Sequence, residues 1–275
     1  MTSKGLEKSQ KQKPTTQSKS AKKVQTEIDD GLFTAWLSPP NQMNGSASTL
    51  APPSSLHFSG LLDQFPAPLV ESLRYLVSRF QLGQNIELPT RLGVVSAIHG
   101  EGVTTVSRTL AAVIANDLDV PVCWVDLSWP SARAPSVSLT NGTDGIYEVL
   151  TGRMELAAAL RKTDDPRLVI LPAGRVPDTQ REALARSPLL ATLVDHLEKQ
   201  FDCVVFDMPP ILAGSAGLGL VRHTDSYLLV VRHGVTTSHQ LRAVADELRS
   251  VRSIGVVLNR YKSRIPKWLA HSFVS

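Results

Sequence analysis

The residues of this chain best suited to chemistry lie between positions 91 and 118, RLGVVSAIHGEGVTTVSRTLAAVIANDL. Gly100, Glu101, Gly102, Val103, Thr104 and Thr105 form a short turn after a β-branched run (Val94, Val95). A helical pattern follows through Val106, Leu110, Val113, Ile114 and Leu118. Strand, glycine turn, Thr-Thr and helix is the layout of a phosphate-binding P-loop. In such a loop the backbone N–H groups of the turn and of the helix start converge on an anion, aided by the helix dipole. Thr104 is placed to ligate Mg²⁺ directly. One residue departs from the pattern: G-x-x-x-x-G-K-[ST] requires a lysine between Gly102 and Thr104, where this chain has Val103.

Three further polar residues close apolar runs. Asp207 ends FDCVVFD ahead of Met208, Pro209 and Pro210, where an acid on a neighbouring strand would hold Mg²⁺ opposite the loop threonine. Asp126 ends VCWVD and would orient an attacking water or hydroxyl or support the metal; the plain alternative is a turn or cap carboxylate. Asn259 ends IGVVLN and is placed either to meet a base edge or to serve as a turn residue.

These positions require particular elements to carry them. Apolar residues at 69, 70, 73, 76, 77 and 80 predict a helix over residues 66–80. Six nearly continuous apolar runs, at 92–97, 120–125, 168–173, 203–207, 226–232 and 254–259, read as strands covered on both faces. Helical patterns lie between them, including 187–200, with Ser187 as N-cap and Pro188 in the first turn, and 239–251. The fold class that follows is α/β, a doubly wound, mostly parallel sheet with helices on both faces. Such sheets bind ligands at the carboxyl ends of their strands, where the loop, Asp126 and Asp207 fall.

The predicted organisation has three parts. Residues 1–64 are a polar tail and linker, residues 65–265 an α/β domain with a leading helix and connector at 65–88, and residues 266–275 a basic, aromatic tail. Residues 1–23 hold seven lysines and one glutamate, a net +6, so the whole-chain +4 leaves the remainder at −2. A basic tail on a near-neutral body argues against a nucleic-acid-binding domain and allows a weak contact with an anionic surface. An apolar island, GLFTAWL at 31–37, interrupts the tail as a docking motif or a patch on the body. Cys123 and Cys203 both sit in apolar runs and read as reduced core thiols. No stretch has the length and apolarity of a membrane span, and the N-terminus lacks the apolar core of a signal peptide.

Over residues 70–262 the chain resembles the cytoplasmic domain of bacterial tyrosine kinases of capsular and exopolysaccharide synthesis, a branch of the ParA/MinD-like P-loop ATPases. VESLRYL is similar to the family's E-x-x-R helix, VVSAIHGEGVTTVSRTLA to its Walker A motif, and VDLSWP to its D-x-D-L-R-x-P motif. DGIYEVLTG, FDCVVFDMPPIL (the Walker B motif), DSYLLVVRHGVT and GVVLNR follow in the family's order. The resemblance implies ATP or ADP with Mg²⁺ as cofactor, held by residues 100–105, Asp207 and Asn259. It also implies self-association through the helix bearing Glu71 and Arg74. The implied partner is a membrane co-polymerase or chain-length protein with a cytoplasmic tail. The expected location is cytoplasmic, peripheral at the inner face of the membrane, with no specific nucleic acid bound.

The departures from the family are as specific as the matches. Val103 replaces the lysine, Trp124 replaces the first acid of D-x-D, and His99 stands where proline is usual. Val77 falls on the second arginine of the family's E-x-x-R-x-x-R helix, with Arg79 nearby, and the C-terminal tyrosine cluster is missing. The lysine donates to phosphate oxygens, so its loss weakens nucleotide binding by about 10- to 1000-fold. Phosphoryl transfer, which rests on electrostatic positioning, is expected to fall further. The expected protein is a catalytically impaired, pseudokinase-like regulator of polysaccharide polymerisation and export. Two alternatives stand beside it, an active ATPase or tyrosine kinase with a compensating cation, and a ParA/MinD-like positioning ATPase.

Overall fold

A computed structural model describes residues 62–82, 87–129 and 144–261. The expectations for residues 1–61, the 31–37 island among them, and for the 266–275 tail lie outside the described residues.

Helix α1 (Ala67–Gln81) has Pro68 in its first turn, where a missing N–H costs nothing. Its residues Val70, Leu73, Val77 and Phe80, spaced three and four apart, are buried as the pattern predicted. Strand β1 (Arg91–Ser96) then leads through the glycine loop into α2 (Val103–Leu118) and on to β2 (Val122–Asp126). Short helices α3 (Ile146–Leu150) and α4 (Leu156–Ala159) precede β3 (Arg161–Lys162) and β4 (Leu168–Leu171). After a 3₁₀ turn at Asp178–Gln180 come α5 (Arg181–Ala185), α6 (Pro188–Glu198) and β5 (Cys203–Asp207). A second 3₁₀ turn at Ile211–Ala213, α7 (Ser215–Val221), β6 (Ser226–Arg232), α8 (Ser238–Glu247) and β7 (Arg252–Asn259) complete the described elements.

The strands pair in the order β3-β4-β2-β5-β1-β6-β7, and every pair is parallel except β3 with β4. The six predicted strands are all present, with ends shifted by one or two residues. β2 starts at Val122 rather than at residue 120, and β4 stops at Leu171 because Pro172 and Ala173 turn their carbonyls to Ile146 and Tyr147 of α3. The predicted 187–200 helix ends at Glu198, and Ser187 caps it by accepting from the Leu189 N–H at 3.2 Å. Leu189, placed on the apolar face by its spacing, is 42% exposed at the first turn. The 239–251 pattern is realised as α8, capped by a Thr237–Gln240 box. The added antiparallel strand β3 is the largest departure.

α1 and α2 pack over one face of the sheet. Leu73, Val77, Leu110, Val113 and Ile114 share one buried cluster with Leu92, Val94, Trp124, Val205 and Val230. The alternate residues Val95, Cys123, Val125, Val204 and Phe206 face the other side by the two-residue period of a strand, and all are fully buried. β1 lies between β5 and β6, so the P-loop at its end and Asp207 at the end of β5 come together at the carboxyl edge. Both cysteines are free and buried, and burial pushes their thiol pKa values up, which keeps them protonated.

Candidate functional site: a P-loop cavity

The glycines of the loop adopt backbone that side chains resist, with φ of 80° at Gly100 and 98° at Gly102. A Cβ on Gly102 would also lie 2.2 Å from Nδ2 of Asn259. Gly102 begins α2 and its carbonyl accepts from the Val106 N–H at 3.0 Å, which leaves the N–H groups of Val103, Thr104 and Thr105 as first-turn donors.

Glu101 does not face a ligand. Its carboxylate is fully buried and folds back under the loop, accepting from the N–H groups of Ala97 (2.8 Å) and Ile98 (3.1 Å) and from the Thr236 hydroxyl. Asn259 donates from Nδ2 to the Glu101 carbonyl at 2.8 Å, and Nη1 of Arg232 donates to the Gly100 carbonyl at 3.4 Å. The loop is thereby tied to the ends of β6 and β7. Asn259 acts here on the loop backbone.

Val103 is 8% exposed and joins the core cluster, so the position of the missing lysine is filled by packing. One turn on, Ser107 accepts a hydrogen bond from Nε1 of Trp124 at 3.0 Å. The guanidinium of Arg108 lies 5.9 Å from the Trp124 ring and 5.7 Å from Phe65. The residue that replaces the first acid is therefore a packed, hydrogen-bonded core aromatic.

Asp126 and Asp207 are direct register partners on β2 and β5. Asp126 is 1% exposed and its Oδ1 accepts from the Ser128 N–H (3.0 Å) and hydroxyl (2.7 Å). Asp207 is fully buried and neither of its oxygens makes a hydrogen bond of normal geometry. Burial and the neighbouring Asp126 charge hold its pKa well above the usual carboxylate range, opposed by the nearby Thr104 hydroxyl and Arg108.

A cavity of about 490 Å³ opens over these groups, lined by loop residues 99–105, Ser128, Trp129, Asp178, Arg181, Glu182, residues 207–210 and part of α7. Gly100, Glu101, Gly102, Val103, Thr104, Thr105 and Asp207 all reach its wall, whereas Asp126 and Asn259 stand behind it. The chemistry of the donor set fits a Mg²⁺–nucleotide phosphate group. Two unpaired carboxylate oxygens beside a threonine hydroxyl suit a hard cation, and the first-turn N–H groups suit its anion. The contributions of Thr236, Trp129 and Arg181 were not read from the sequence. Thr236 ends the DSYLLVVRHGVT segment in the loop after β6, Trp129 falls on the unspecified position before the proline of VDLSWP, and no local motif marks Arg181.

Comparison with known proteins agrees with this geometry. Residues 94–258 match the AAA domain family. The tyrosine-protein kinase wzc of Salmonella typhi is 30% identical over 169 residues, covering 61% of this chain and 23% of the kinase. The chain thus spans about a quarter of that relative's length. Among solved structures, the kinase domain of the Escherichia coli tyrosine kinase ETK superposes with a TM-score of 0.60 at 26% identity, over 72% of this chain and 79% of that domain. The septum site-determining protein MinD of Pyrococcus horikoshii OT3, complexed with Mg-ADP, shares the fold with a TM-score of 0.50 at 23% identity, over 66% and 76% of the two chains.

Proposed function

The chain belongs to the AAA domain family, and on that premise we propose that it is a kinase-like P-loop module that regulates exopolysaccharide or capsule polymerisation and export with impaired catalysis. Its similarity to the wzc and ETK tyrosine kinases supports the general role. The observation that carries the reading is a contrast within one site. The glycine nest, Thr104 and the unpaired Asp207 line the cavity, while Val103 packs into the core where a phosphate-facing lysine would stand. The retained groups suffice to hold a magnesium nucleotide weakly. The lost lysine removes the positive charge that phosphoryl transfer draws on as charge develops.

Asp207, Thr104 and the loop N–H groups hold the ligand in this reading, Asn259 fixes the loop from behind, and the charge of Asp126 supports the metal from the adjacent strand. Bound nucleotide acts as a signal, and the module transmits it to a membrane co-polymerase partner through that protein's cytoplasmic tail. The protein works at the inner face of the membrane in this reading; no helix among the described residues is long and apolar enough to cross one. Self-association through α1 belongs to the same reading. Arg74 pairs with Glu71 at 3.2 Å and with Asp117 at 3.3 Å, so a subunit contact there would exchange these surface pairs rather than meet bare charges.

A second reading, an active ATPase or kinase with a compensating cation, is favoured by one observation, an arginine on the cavity wall at position 181. Turnover separates the two. With γ-labelled ATP and Mg²⁺, the native chain is expected to release phosphate and label tyrosine no faster than a D207N control. Turnover well above that control would establish the second reading.

A further inference from the structure

Three arginines lie near the loop, and they differ in what they face. Arg108 is stacked against Phe65 and Trp124, and Arg232 holds the Gly100 carbonyl. Neither lines the cavity. Of the arginines and lysines among the described residues, Arg181 alone does.

Arg181 opens α5, and that short helix is firmly seated. Ala185 is buried, and a Cβ on Gly219 of α7 would lie 3.1 Å from the Ala185 Cβ, so the two helices meet at backbone distance. A Cβ on Gly217, two residues earlier on α7, would lie 3.1 Å from the Pro210 carbonyl oxygen in the segment leaving Asp207. The base of Arg181 is therefore fixed relative to the Walker B strand. Its side chain is 17% exposed, and Nη2 pairs with Oδ1 of Asp178 at 2.5 Å. Asp178 is 56% exposed, so the guanidinium already carries an anion that can be exchanged cheaply at the cavity rim. Trp129 offers an independent sign of a missing ligand atom. It lines the same cavity, is 3% exposed, has an unfavourable φ of 39°, and its indole N–H has no acceptor. Native proteins rarely bury such a donor unpaired.

We infer that Arg181, with the indole N–H of Trp129, binds the outer phosphate of a magnesium nucleoside di- or triphosphate and takes over, within one chain, part of the ground-state task of the absent lysine. The inference rests on the nucleotide-binding reading given above. Arg181 approaches from the α5 wall rather than from the loop, so it supports binding without restoring the lysine's place on the transferring group. Its planar fork matches phosphate oxygens in pairs, a geometry a lysine does not offer.

The test is calorimetric titration of Mg-ADP and of adenosine into the native chain and its V103K, R181Q, R181K, W129F and R186Q variants. Arg186 is exposed and off the cavity wall, and R186Q is expected to bind as the native chain does. R181Q is expected to weaken Mg-ADP by about 10- to 100-fold, as loss of a charged donor should, and to leave adenosine unchanged. R181K is expected to recover part of that loss and W129F to lose a smaller factor. If native protein binds Mg-ADP and R181Q binds it equally well, the role of Arg181 is overturned and the nucleotide reading survives. If neither the native chain nor V103K binds Mg-ADP, the nucleotide reading itself fails. Should R181Q not fold, phenylglyoxal modification of the native chain decides. Protection of the Arg181 peptide by Mg-ADP supports the assignment, and equal modification with and without it overturns it.

Discussion

Asp207 is a fully buried carboxylate on the cavity wall, and its protonation sets how the free protein responds to pH. In the free chain its unpaired, buried carboxylate favours the protonated form, and its pKa is raised above that of the unfolded chain. A raised carboxylate pKa contributes stability that is complete below the ordinary value of about 3.9 and is lost as pH rises through the folded value. The free protein should therefore weaken as pH climbs above the ordinary carboxylate range, and Mg²⁺ with nucleotide should oppose that trend. D207N is expected to raise the Tm of the free protein, by about 2–4 °C for each kcal/mol relieved, and to flatten its pH dependence. It should also abolish the effect of Mg²⁺ on nucleotide binding. Thermal melts across pH with and without Mg²⁺ check both. Asp207, Thr104 and Val103 were legible in the sequence because each holds a fixed place beside a strand end or a glycine. Glu101 was legible as a loop residue only. Its inward turn is held by the nearby Ala97 and Ile98 N–H groups together with Thr236, 135 residues further along, and no local pattern marks that distant partner.

Among the elements, the glycine loop and α2 form the proposed phosphate site, and they are held by the ends of β6 and β7 from the side. Gly102→Ala would put a side chain at a φ of 98° and 2.2 Å from the Asn259 amide. The left-handed backbone alone costs about 1–2 kcal/mol, and the displaced amide releases the Glu101 carbonyl as well. A Tm drop together with weaker nucleotide binding is expected, measured by melting and titration of the same variant. The main elements were readable because their burial is periodic. α1 shows the spacing of one buried face, and β1, β2, β5 and β6 are apolar throughout because helices cover both sides. β3 escaped because Arg161 and Lys162 are two polar residues with no period to detect. Strand β4 was overextended because Pro172 and Ala173 look apolar while their carbonyls serve α3. Sequence shows hydropathy; the hydrogen-bond partner that ends a strand is a tertiary fact.

At the scale of the molecule, the proposed reading is of one scaffold that keeps the phosphate-binding loop with part of its charge removed. α1, which covers the core beside α2, also exposes Tyr75 and the Glu71–Arg74 pair, with Leu82 exposed just past its end, and in our reading it is where copies of the chain meet. Replacing Glu71 and Arg74 together with alanine should lower the assembly order in light scattering. Secondary structure should survive, since surface pairs of this kind contribute about 0–1 kcal/mol each. The central claim concerns the cavity, and one measurement reaches it most directly: calorimetric titration of Mg-ATP into the native chain and into V103K. The account predicts weak binding by the native chain and a gain of about 10- to 1000-fold when lysine is restored, because the glycine loop, Thr104 and Asp207 are retained around it. Tight binding by the native chain, or no gain from the lysine, would contradict it.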